Sequence, residues 1–135
     1  MSAMWHFEKH FTPAEANSLI PRVRENFRKI HTLLGYDYPG WTKVASHGNG
    51  NGKMWQFKLL AQQLGRRECE DMAGDLIREL EELGIIVRDW RRGLVDFPAV
   101  WAGREVFLCY ELDDGEQVRF YHGLNEGYAG RRPLK

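Results

Sequence analysis

His6, Glu8 and His10 alternate near the start of the chain, so an extended segment would place two imidazoles and a carboxylate on one side. Their neighbours would lie roughly 6.5 to 7 Å apart, and such a set could supply ligands to a zinc-like ion. The same spacing also describes the solvated face of an edge strand, and one spacing alone is a weak motif. Asp96 stands before Phe97-Pro98 inside an apolar run, where a carboxylate is either exposed at an edge or held by a cation. Arg104 and Arg119 are the expected partners, and a structural ion pair competes with a general-base role. His122 closes the run Val118-Arg119-Phe120-Tyr121. It offers a proton-transfer or ligand group, or a neutral ring bonded to a backbone carbonyl. Asp96 and His122 are the candidate catalytic residues. Cys109 reads as a small buried hydrophobe between Leu108 and Tyr110, and no cysteine–histidine pair is evident.

The tail Gly127-Tyr128-Ala129-Gly130-Arg131-Arg132-Pro133 carries a second kind of chemistry. Gly127 and Gly130 permit exposed backbone donors, and Arg104, Arg131 and Arg132 can grip a phosphate or carboxylate in fork geometry. Arg66-Arg67 and Arg91-Arg92 are further basic pairs, whose convergence with the tail would make an anion site. Alternatively the tail arginines anchor the C-terminus on acidic neighbours, with Glu79, Glu81 and Glu82 plentiful nearby. Trp55, Trp90, Trp101 and Tyr128 could stack on nucleic-acid bases. Nineteen basic residues balance nineteen acidic ones, however, which argues against nucleic acid or an anionic membrane as partner.

The elements that must position these groups follow from periodicity. Trp5 to Phe11 alternates as a short strand. Thr12-Pro13-Ala14-Glu15 is a capping box with proline at the first helical position. A helix from Pro13 follows, with Ala16, Ile20, Val23, Phe27, Ile30 and Leu34 on one seam and a kink expected near Asn17 to Pro21. Residues 35–52 form a glycine-rich loop. A second helix is predicted over about 53–83, with Cys69, Ala73, Leu76, Leu80 and Leu83 on its seam and Gly84 as terminator. Continuous, it would extend roughly 45 Å.

From Gly84 the period becomes that of strands, with runs at Ile85–Arg88, Val95–Trp101, Arg104–Leu112 and Gln117–His122. Ala102-Gly103 and Asp114-Gly115 sit where hairpin turns belong, and Pro98 predicts an edge or a bulge. The expected class is α+β: a long antiparallel helical hairpin (13–83) packed with a small antiparallel β-meander (85–122), then a tail over 123–135, all in one domain of 135 residues. Taken literally, the turns pair Asp96 with Cys109, Cys109 with Phe120 and His122 with Phe107. Asp96, Glu105, Cys109, Glu111 and His122 then share one face. That face also carries Pro98, Val100, Phe107, Val118 and Phe120, so a second subunit, the 35–52 loop or a ligand should cover it.

Hydrophobic and charged contents of 43% and 28% are those of a globular chain. The two cysteines lie far apart with no metal-binding spacing, and no basic-then-apolar leader is present, so a cytoplasmic protein with reduced thiols and no cofactor is expected.

The segments FTPAEAN-x-L-I-P, ELEELG, RGLVDFPA, GREVFLCYEL and H-x4-GYAGRRPL together resemble a bacterial family known as domain of unknown function 2203. The resemblance runs from Phe11 to Leu134; the linker between the helices is longer and richer in glycine than the family pattern. It implies no activity or substrate, so the matching Asp96, Arg104, Glu105, His122, Gly127, Gly130 and Arg131 stand as candidates on their chemistry. The preferred functional expectation is a non-enzymatic, homodimeric interaction protein. The alternative is a small enzyme or binder of an anionic molecule, with or without a metal, using Asp96, Arg104, His122 and Arg131.

Overall fold

The computed structural model describes residues 5–41 and 51–134, the first three of the second stretch as backbone only. Helix α1 spans Pro13–Leu34. The Thr12 hydroxyl accepts the Glu15 N–H at 3.1 Å, and the Glu15 carboxylate accepts the Thr12 N–H at 2.9 Å. This reciprocal cap satisfies two donors that a helix start leaves bare. Gly35 ends the helix at φ 67°, returning its N–H to His31 and Thr32. Ala16, Ile20, Val23, Phe27 and Ile30 are buried along the expected seam. The helix runs as one element through Pro21, whose missing N–H leaves the Asn17 carbonyl without its usual partner.

The predicted second helix is two helices, α2 (Asn51–Gln63) and α3 (Arg66–Glu82). Gly65 between them is extended at φ −73° and ψ 164°, and its N–H is taken by the Glu68 carboxylate at 2.8 Å. The physical reason lies in the seams: α3 buries Cys69, Ala73 and Leu80, whereas α2 packs Phe57 and Ala61 against the core. The break lets each set reach α1 separately, and no 45 Å rod forms. Asn26 of α1 donates to the Leu76 carbonyl of α3 at 2.9 Å, tying the two helices. Gly84 terminates α3 at φ 96° as expected. Of the expected 35–52 loop, residues 42–50 lie outside the described residues, and 51–52 belong to α2.

The strands are β1 (Ile86–Asp89), β2 (Leu94–Trp101), β3 (Arg104–Tyr110), β4 (Phe120–Gly123) and β5 (Arg132–Pro133). They form one antiparallel sheet in sequence order. Ala102 and Gly103 have φ of 53° and 77°, the twist a two-residue hairpin needs. The register is the expected one, pairing Asp96 with Cys109, Cys109 with Phe120 and Phe107 with His122. The Asp114-Gly115 turn is not a two-residue hairpin, however. A short 3-10 turn at Leu112–Asp114 and an irregular stretch connect β3 to a β4 shorter than predicted.

Three further expectations are corrected. Pro98 lies in an interior strand, but β1 reaches only as far as Asp96, so no ladder bond is lost there. The Pro98 carbonyl instead accepts the Phe11 N–H at 2.7 Å. With no N–H returned by Pro98, the Trp5–Phe11 segment crosses the sheet as irregular chain and not as a strand. Finally, much of the second sheet face is covered by the chain itself, although Val100 stays exposed. Phe7 meets Phe107 edge-to-face at 5.5 Å, and the C-terminal tail closes the other end through β5 and Tyr128. The inner face, with Val95, Phe97, Ala99, Val106, Leu108 and Tyr110, joins the α1 and α3 seams in a single core.

Candidate metal centre

Asp96, Cys109 and His122 project from three neighbouring strands onto the outer face, because positions of the same parity share a face of the pleat. All three are buried, and one donor atom from each lies within 4.8 Å of the others. His122 Nδ1 sits 2.9 Å from the Gly123 carbonyl. A carbonyl only accepts, so Nδ1 carries the proton, and Nε2 faces the Asp96 carboxylate at 3.1 Å. Two lone pairs cannot face each other at that distance without a cation between them, which must be a proton or a metal ion. Arg88 donates from Nε to the other Asp96 oxygen at 2.9 Å and leaves Oδ1 to the centre. Burial, followed by the charge of Asp96, pushes the Cys109 thiol up to about 12.

A pocket of about 450 Å³ opens onto these three side chains, walled by Arg88, Leu94 and the tail from Leu124 to Tyr128. The tail is latched by Glu111, which is 7% exposed. Its carboxylate accepts from Arg92 at 3.0 Å, from the Tyr128 hydroxyl at 2.5 Å and from Arg131 at 3.1 Å. Arg131 also reaches Asp114 at 2.7 Å and stacks 3.9 Å over Phe120. The guanidiniums of Arg92 and Arg131 both approach the Tyr128 ring, 4.2 and 4.5 Å from its centroid.

Several sequence candidates thus take other places. The Asp96 partners are Arg88 and His122, not Arg104 or Arg119. Arg104 is exposed at the tip of the β2–β3 hairpin, opposite Trp101 and remote from Asp96 in register, and Arg119 is exposed too. Arg131 spends its donors on Glu111 and Asp114, and Arg132 is paired at the surface with Glu126. The tail is therefore anchored by Glu111, Asp114 and Glu126, and the expected partners on α3 are not used. Of the arginine pairs, Arg92 and Arg131 meet on one carboxylate, while Arg66 pairs with Glu70 along α3. Gly127 lines the pocket. A side chain at Gly130 would bring Cβ within 2.9 Å of Glu126.

His6 and His10 do converge on a carboxylate, but it is that of Glu105, since Glu8 is exposed. One Glu105 oxygen accepts the His6 amide at 2.8 Å and the other meets His10 Nε2 at 2.8 Å and the Phe7 amide at 2.9 Å. Burial alone would raise this acid; the bonds from His10 and the His6 and Phe7 amides outweigh it and bring it down to about 2. Glu105 docks the N-terminal segment.

The residues missed in the sequence are Cys109 as a ligand, Arg88 and Glu111 as anchors, and His31. The register already placed Cys109 and Glu111 beside Asp96, and that was the available signal. His31 is buried in α1, with Nε2–H donated to the Trp90 carbonyl at 2.8 Å and Nδ1 accepting the Trp41 indole N–H at 2.9 Å.

No helix among the described residues is long and apolar enough to cross a membrane. Residues 9–134 match the family described as "Uncharacterized conserved protein (DUF2203)". No curated protein and no solved structure matches the chain.

Proposed function

The chain belongs to the DUF2203 family of uncharacterized conserved proteins, and on that premise we propose that it binds one divalent transition-metal ion through Asp96, Cys109 and His122. The observation that carries this is the convergence of three buried donor atoms of different chemistry within 4.8 Å at the floor of a pocket. Thiolate, imidazole and carboxylate together suit zinc and its neighbours. Charge agrees as well, since two anionic ligands and a neutral imidazole neutralise a divalent ion. The outer contacts are those a ligating site uses: Gly123 holds the imidazole tautomer and Arg88 orients the carboxylate. Three protein ligands facing a pocket describe a centre with a position left for a small molecule. There the ion would polarise a bound oxygen or lower the pKa of a bound water.

This develops the small-enzyme or ligand-binder expectation, keeping Asp96 and His122 and replacing Arg104 and Arg131 with Cys109 and Arg88. Protein purified without an affinity metal column and given cobalt(II) should take up one ion per chain by native mass spectrometry. It should also develop thiolate-to-cobalt absorption, and a folded protein that binds no cobalt, or binds it without the thiolate signature, defeats the proposal.

Self-association is the second reading, favoured by Trp55, Leu59 and Leu60, which are 64%, 41% and 44% exposed on α2. Trp55 and Leu59 stand one turn apart and form an apolar stripe. Sedimentation of the wild type and of Trp55→Ser tests it: a dimer that the substitution dissociates supports the stripe, and a monomer at high micromolar concentration removes it.

A further inference from the structure

We infer that the open side of the metal centre takes the carboxylate of a small monoanionic ligand, shared between the ion and the free edge of the Arg88 guanidinium. This rests on the metal reading and goes beyond it to the class of ligand.

Arg88 spends Nε on Asp96 at 2.9 Å. Its guanidinium lies 5.1 Å from the Phe107 ring centroid, and the side chain remains 45% exposed while lining the pocket. The terminal nitrogens are the donors left over, set in the planar fork that matches a carboxylate. Most neighbouring arginines cannot compete for that role. Arg92 and Arg131 are held by Glu111 and Asp114, and Arg132 by Glu126.

Charge then selects the ligand. A divalent ion and Arg88 bring three positive charges; Asp96 and a Cys109 thiolate bring two negative ones, with His122 neutral. One positive charge is left over, on the guanidinium that lines the pocket, while the wall carboxylate of Glu126 is offset by Arg132. A monoanion cancels it, whereas a phosphate dianion overshoots. The walls agree, because Leu94 and the tail residue Leu124 present apolar surface beside the charged floor. A pocket of about 450 Å³ has room for a short organic acid.

The test uses the full chain loaded with cobalt(II) and titrated with acetate, then with inorganic phosphate, at neutral pH. Acetate should perturb the cobalt absorption saturably and more tightly than phosphate. Arg88→Gln should keep the thiolate-to-cobalt band and weaken acetate at least tenfold. Should Arg88→Gln fail to take up cobalt, Arg88→Lys keeps the charge without the fork and should still weaken acetate. A cobalt band that acetate leaves unchanged, tighter phosphate binding, or equal acetate affinity after substitution of Arg88 each overturns the carboxylate inference while leaving the metal site standing. Failure to form the band at all removes the metal reading itself.

Discussion

Among the described residues two histidines are buried to nearly the same degree, His31 at 1% and His122 at 2%, and they are chemically opposite. Both ring nitrogens of His31 are satisfied by neutral partners, one donating to the Trp90 carbonyl and one accepting from the Trp41 indole. Tyr36, Tyr38 and Trp90 pack around the ring, and burial lowers its pKa against the opposing bond to Trp90. Nothing is left on that imidazole to do chemistry. His122 instead satisfies one nitrogen with a carbonyl and aims the other at a carboxylate, with a thiol beside it. Burial alone does not separate the two histidines; the balance of donors and acceptors around the second nitrogen does.

Exchanging the roles experimentally is the strongest way to break this comparison. His122→Ala should weaken cobalt(II) or zinc binding by more than about 100-fold, beyond what loss of an outer contact costs, while His31→Ala should leave it within about twofold. Stability should move the other way. His31→Ala strips partners from the part-buried Trp90 carbonyl and Trp41 indole N–H and leaves a cavity, so urea unfolding should show a loss of about 3 kcal/mol. Equal metal affinities in the two variants would erase the distinction.

Acid titration of stability sharpens it with a smaller effect. His31 has a folded-state pKa below its ordinary 6.5, so its contribution is full above that value and declines as the pH falls beneath it. Glu105, held at about 2 against an ordinary 4.5, keeps its contribution until the pH drops below about 4.5 and loses it as the pH approaches 2. Urea midpoints measured across that range should therefore fall in two steps. His31→Gln should flatten the upper step and Glu105→Gln the lower one. A single step that both substitutions leave unchanged would show that neither group governs acid stability.

Much of the scaffold is legible in the sequence. The Thr12 capping box, the α1 seam and the Ala102-Gly103 turn are local signals, and each stands where it was expected. The register followed from that turn, and with it the shared face of Asp96, Cys109 and His122. Cys109 nonetheless read as filler, because its sequence neighbours are apolar and its polar neighbours are cross-strand. The break at Gly65 was hidden because either half of the segment reads as helix. What decides the break is that α2 and α3 reach α1 with different faces. Arg131 looked like an anion grip, and only the fold shows its donors consumed by Glu111 and Asp114.

Residue order dictated the periods, caps and turns, since these depend on dihedral preferences and spacings within a few residues. It also dictated which side chains share a sheet face, because the pleat alternates strictly with position. The tertiary structure decided which of those side chains touch. Arg88 reaches Asp96 from one side, His122 from the other, and the tail folds over all three under the hold of Glu111. Such contacts join residues remote in the chain and leave no local trace, because the free energy that selects them comes from burial and charge pairing in the finished fold.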